Sequence, residues 1–123
     1  MPKLVLDVGN CGYDHSSLKS LIERNFDAKV LPSHGPADTL KMLREQTFAL
    51  VVINRKLDRD HADGIELMKT IKADEQFAQT PVMLLSNYED AQAAAEAAGA
   101  VPGFGKLALG KESTLKKLEP YLG

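Results

Sequence analysis

Four polar residues stand at or just beyond the end of an apolar run: Asp7, Asn54, Ser86 and Lys106. Asp7 closes Leu4-Val5-Leu6, Asn54 closes Phe48-Ala49-Leu50-Val51-Val52-Ile53, and Ser86 closes Pro81-Val82-Met83-Leu84-Leu85. Lys106 follows Val101-Pro102-Gly103-Phe104. A carboxylate such as Asp7 can hold a hard cation. The plainer arrangement is an ion pair between Asp7 and Lys106, with the Asn54 amide bridging them, and these residue types favour it. Asn54 offers no nucleophile of its own, because an amide oxygen is a poor one. Ser86 can satisfy a backbone group or cap the helix that follows.

The elements that must position these residues follow from the hydrophobic pattern. The run Phe48–Ile53 is rich in β-branched residues and apolar throughout, as in a strand buried on both faces of a parallel sheet. Leu4–Leu6, Ala28–Leu31, Pro81–Leu85 and Val101–Phe104 read as four more strands, the second stopped by Pro32 and the last confined to an edge by its proline and glycines. Between them lie helical stripes. Leu18, Leu21 and Ile22 fall on one face of a helix capped by Asp14 or Ser16. Leu40 and Leu43 belong to a helix opened by Gly35-Pro36, and Leu67, Met68 and Ile71 to one opened by Gly64. An alanine-rich helix runs over residues 89–98 and closes at Gly99. A last helix, from about Lys111 to Leu122, buries Leu115, Leu118 and Leu122, and Pro120 breaks its final turn.

Five alternations of strand and helix predict an α/β fold: a flavodoxin-like, doubly wound parallel sheet of order 2-1-3-4-5, with five helices on its two faces. Residues 1–123 are read as one domain. In such sheets ligands bind at the carboxyl ends of the strands, and the first and third strands flank the switch point. Asp7 and Asn54 are therefore expected to face each other there.

Composition narrows the function. The formal net charge of −2 steers the surface toward neither nucleic acid nor an anionic membrane, and no basic stripe with interleaved aromatics appears. No apolar run approaches the ~20 residues of a membrane span, and no signal peptide is recognisable at Met1-Pro2-Lys3. The lone Cys11 permits no internal disulfide, which fits a cytoplasmic location. Asp58, Asp60, Asp63 and His61 crowd one loop, but Arg55, Lys56 and Arg59 share it, so it reads as a solvated mixed-charge loop. His15, His34 and His61 are scattered among loops without ligand spacing. Gly9-x-x-Gly12 lacks the dinucleotide-binding pattern.

In its ordered set of pieces the chain resembles a response-regulator receiver domain, of the chemotaxis-regulator kind. The pieces are Leu4–Asp7, Leu50–Asn54, Asp63-Gly64-Ile65-Glu66-Leu67, Pro81–Ser86, and Gly99-Ala100 with Lys106 seven residues beyond Gly99. The resemblance implies a phosphoacceptor at position 54, acids after the first strand that hold Mg²⁺, and phosphoryl contacts from Ser86 and Lys106. It also implies an aromatic switch at Gly103 or, with a one-residue shift, at Phe104.

The chain departs from that pattern at its centre. Asn54 stands at the acceptor position, and Val8 follows Asp7 where a second acid is implied. Asp63 lies nine positions beyond Asn54, where the resemblance implies about seven. Leu107 follows Lys106 in place of the usual proline.

The chain thus reads as an atypical receiver, a pseudo-receiver. It is expected to be non-enzymatic, with no catalytic residue, no cofactor and at most weak Mg²⁺ binding at Asp7. Asn54 is a degenerate acceptor position, Asp7 a vestigial acid, and Ser86 and Lys106 retained contact positions. Expected partners are proteins: a histidine kinase, an output protein or another receiver. Two alternatives stay open. One is a phosphorylatable receiver with an engineered Asn54 or a displaced acceptor at Asp58. The other is a small-ligand or cofactor binder on the same fold.

Overall fold

The structure is a computed structural model, and it describes residues 2–58 and 62–123. Arg59, Asp60 and His61 of the expected mixed-charge loop lie outside the described residues. Strand β1 (Lys3–Val8) leads into α1 (Gly12–Asn25), β2 (Ala28–Ser33) into α2 (Pro36–Glu45), and β3 (Leu50–Asn54) into α3 (Gly64–Ala73). Then come β4 (Val82–Leu85), α4 (Glu89–Ala97), β5 (Val101–Phe104), a 3₁₀ turn at Lys106–Ala108 and α5 (Glu112–Leu122). The strands pair in parallel in the order β2-β1-β3-β4-β5. This is the flavodoxin-like order that the alternation predicts.

Side-chain alternation along the strands divides the core into two layers. On one face Leu6, Val8, Val51, Ile53, Val82 and Leu84 pack against Leu43 of α2, Met68 and Ile71 of α3, and Ala91 and Ala95 of α4. On the other, Val5, Leu50, Val52, Met83 and Leu85 meet Leu18 and Ile22 of α1, Leu118 and Leu122 of α5, and Phe104. The small side chains of α4 serve this close packing, as Ala91 and Ala95 are buried. Asp7 shares the parity of Val5, so its carboxylate points to the α1 layer.

Several boundaries differ from expectation, each for a local reason. Strand β2 continues through Pro32 to Ser33. It can do so because β2 is an edge strand, where a missing N–H faces outward. Helix α1 starts at Gly12 with Cys11 as its N-cap, so neither Asp14 nor Ser16 caps it. Helix α5 runs through Pro120 to Leu122. The ring sits in the last turn, where only one intrahelical bond is lost. In the same helix Thr114, rather than the half-exposed Leu115, is fully buried.

Candidate functional site

The site lies over the carboxyl ends of β1, β3, β4 and β5. Asp7 does not face Asn54: it pairs in register with Val52, two residues short of the strand tip. Its side chain has no solvent exposure. Asn10 Nδ2 donates a short hydrogen bond to Asp7 Oδ1, and His15 Nδ1 lies 2.7 Å from Oδ2. Burial pushes the Asp7 carboxyl above the ordinary carboxylate range, against the opposing pull of the His15 and Asn10 hydrogen bonds. Asn10 Oδ1 is buried and has no partner among the described residues.

The expected Asp7–Lys106 ion pair is not formed. Lys106 Nζ reaches Asp14 Oδ2 at 2.6 Å instead, a contact that spans 92 positions of sequence. That hydrogen bond holds the Asp14 carboxyl below its usual range, against a smaller opposing effect of burial. The swap follows from where α1 begins. A start at Gly12 puts Asp14 and His15 in the first turn, where His15 N donates to Cys11 O at 2.8 Å. Asp14 then reaches the end of β5, and His15 reaches β1. His15 is a helical residue, so the expectation that the histidines sit in loops fails for it.

Asn54 bridges nothing between Asp7 and Lys106. Its amide Nδ2 donates to Lys56 O at 2.8 Å and, more weakly, to Gly9 O at 3.4 Å. It therefore tethers the β3 tip to its own following loop and to the loop after β1. Gly9 has φ +77°, and a Cβ there would come within 2.4 Å of Leu57, so this turn needs glycine.

Ser86 Oγ accepts from Tyr88 N at 3.2 Å, which satisfies a donor at the entry to α4. Asn87 Oδ1 accepts from Leu107 N at 3.1 Å and ties the loop after β4 to the loop after β5. Phe104 is 4% exposed and belongs to the core beside Leu85 and Leu118.

Asn54, Ser86 and Lys106 line a common pocket of about 370 Å³ together with Arg55, Lys56 and Tyr88. Among the described residues no carboxylate lines it. Asp58 lies outside this pocket and faces His34 Nδ1 at 3.3 Å. The structure thus brings Asn54, Ser86 and Lys106 together and leaves Asp7 beneath them and Asp58 to one side.

Asp14, His15 and Asn10 are the site residues that sequence reasoning missed. One signal was present: His15, Leu18 and Ile22 are spaced i, i+3, i+7, so His15 continues the apolar stripe of α1 toward the sheet.

The residues do not fit a divalent cation well. Mg²⁺ demands near-octahedral oxygen coordination. Both oxygens of Asp7 are engaged by nitrogen groups, Val8 contributes no ligand, and Asn54 turns its amide nitrogen to backbone carbonyls.

Sheet order and helix placement are those of the fold found in response-regulator receiver domains. A protein assigned as a response regulator in Chloroflexus aurantiacus aligns with a TM-score of 0.87 at 15% identity, over 98% of each chain. The chemotaxis protein CheY4 of Vibrio cholerae aligns with a TM-score of 0.81 at 18% identity, over 99% of this chain and 100% of that one. The signal receiver domain of a DNA-binding response regulator from Colwellia psychrerythraea gives 0.77 at 23% identity, over 96% and 98%. At these identities the likeness is one of fold. No protein-family model and no curated protein matches the chain. Among the described residues no helix is long and apolar enough to cross a membrane.

Proposed function

We propose that this chain is a receiver-fold signalling module of the cytoplasm that acts by binding protein partners, without phosphorylation at position 54. The observation that carries the reading is Asn54 itself. The residue at the acceptor place of the fold is an amide, and its side chain is committed to the carbonyls of Lys56 and Gly9. Lys106, the cation that would meet an incoming phosphoryl group, is held by Asp14. Burial of Phe104 fits a module resting in one conformation.

The docking face we assign to the partner is formed by α4, β5 and α5. Tyr88 and Leu107, 69% and 79% exposed, stand at its upper rim. Between them runs a groove floored by Gln92 and Gly103 and flanked by Lys111 and Lys117. A kinase, an output protein or another receiver is the kind of partner that suits such a face.

The test is incubation with acetyl phosphate and Mg²⁺, followed by intact mass measurement. The expected result is an unmodified chain. Stoichiometric addition of a phosphoryl group overturns the proposal, and its location on Asp58 would establish a displaced acceptor instead.

A further inference from the structure

We propose that His15 serves as a built-in stopper for Asp7, covering from within the chain the carboxylate oxygen that a divalent cation would need. The argument starts from the geometry of Asp7. Its side chain is sealed from solvent, with His15 Nδ1 at 2.7 Å from one carboxylate oxygen and Asn10 Nδ2 on the other. A cation approaching Asp7 would have to displace both nitrogen groups. Displacing either group leaves an oxygen of a carboxyl that is sealed from solvent without its hydrogen bond, which is unfavourable.

His15 is held in place rather than swung in by chance. It sits in the first turn of α1, and Leu18 and Ile22 anchor the same helix to the sheet with no exposed surface. The neighbouring residue completes the device. Asp14 takes Lys106 at 2.6 Å, so this neighbouring carboxylate is itself engaged. Two consecutive residues of α1 thus clamp two strand ends, β1 through His15 and β5 through Lys106, with side chains alone. The consequence is a resting conformation that needs no metal.

This inference rests on the reading of Asn54 as a non-acceptor, yet the two fail separately. Phosphoryl uptake by the native chain overturns that reading; metal binding in the variants below tests this one. The probe is Mn²⁺, followed by paramagnetic broadening of backbone amide resonances around Gly9 and Asn10. Three chains are compared: native, Asn54→Asp, and Asn54→Asp with His15→Gln. Glutamine retains a donor for Asp7 and removes the imidazole, and a thermal melt confirms that each chain is folded. Native protein is expected to show no site-specific broadening. Asn54→Asp alone is expected to bind poorly, and adding His15→Gln should tighten Mn²⁺ binding at least about tenfold. Equal affinity in the two variants, whether strong or absent, overturns the inference, as does site-specific broadening in the native chain.

Discussion

Gly64 offers a sharp test of how the β3 tip is built. It opens α3 directly beneath Asn54, and its N–H donates to Arg55 O at 2.7 Å. A Cβ placed on Gly64 would lie 2.0 Å from Asn54 O and 2.9 Å from Ile53 Cγ2. A carbon approaches a carbonyl oxygen no closer than about 3.3 Å, so Gly64→Ala must open a gap of about 1 Å. The obstacle is backbone of the central strand, which β1 and β4 hold on either side, so it cannot simply recede. Overpacking of this kind costs about 3 kcal/mol. The higher helix propensity of alanine offsets up to about 1 kcal/mol. The net loss is about 2 kcal/mol, which lowers the urea midpoint by about 1 M. Gly12→Ala is the control. Nothing lies within 4 Å of a Cβ there, and stability should stay within about 0.5 kcal/mol of native. A Gly64→Ala chain as stable as the native one, or a Gly12→Ala chain equally weakened, would refute the close seating of α3 under Asn54. Amide shifts at Asn54 and Lys56 give a second readout of the same displacement.

Other perturbations follow from the same contacts. His15→Ala leaves the buried Asp7 carboxyl without its imidazole and should cost about 1–3 kcal/mol in urea unfolding. Thr114→Val removes the hydrogen bond from Oγ1 to Ala108 O, 2.8 Å long and partly buried, for a loss of about 1 kcal/mol. Asp14 and Asp7 should respond to pH with opposite signs. The Lys106-lowered Asp14 carboxyl lends stability that is complete above its ordinary value of 3.8 and lost as pH falls below it, whereas the burial-raised Asp7 carries a penalty that grows as pH rises above 3.8. Lys106→Met should therefore flatten the acid side of the stability profile, by at most about 1 kcal/mol because the pair is partly exposed. Tyr88→Ala and Leu107→Ala should leave the urea midpoint nearly unchanged while weakening partner binding, which chemical cross-linking of the purified complex would report.

Much of this arrangement was legible in the sequence because it rests on period and position. The apolar run ending at Asn54 marked the central strand, and the β-α alternation gave the sheet order and put Asn54, Ser86 and Lys106 at one edge. The errors arose where a single helical turn decides the outcome. With α1 starting after Asp14, that residue would be a cap and Lys106 would find Asp7. With the start at Gly12, Asp14 and His15 project to the sheet and divide the two partners between them. Local capping signals favour the later start, whereas the helix begins at Gly12 and joins Asp14 to Lys106 across 92 positions. Pro32 and Pro120 misled in the same way. Each breaks a regular element in its interior, but one lies on a sheet edge and the other in a last turn, where the lost hydrogen bond has little to disrupt.

Pro32 also bears on how this molecule can meet another. Ser33 O accepts from Gly9 N and so points inward, toward β1. Backbone polarity alternates along a strand, which turns the nitrogen of Pro32 outward, where it has no hydrogen to offer. At the opposite margin β5 carries Pro102, and its register with β4 is interrupted. The β2 rim of the sheet therefore lacks part of the hydrogen-bonding ladder that an incoming strand would need. Extension of the sheet by an incoming strand is disfavoured at that rim. Pro32 thereby leaves the side chains of that rim, rather than its backbone N–H groups, as what it can offer to a neighbouring surface.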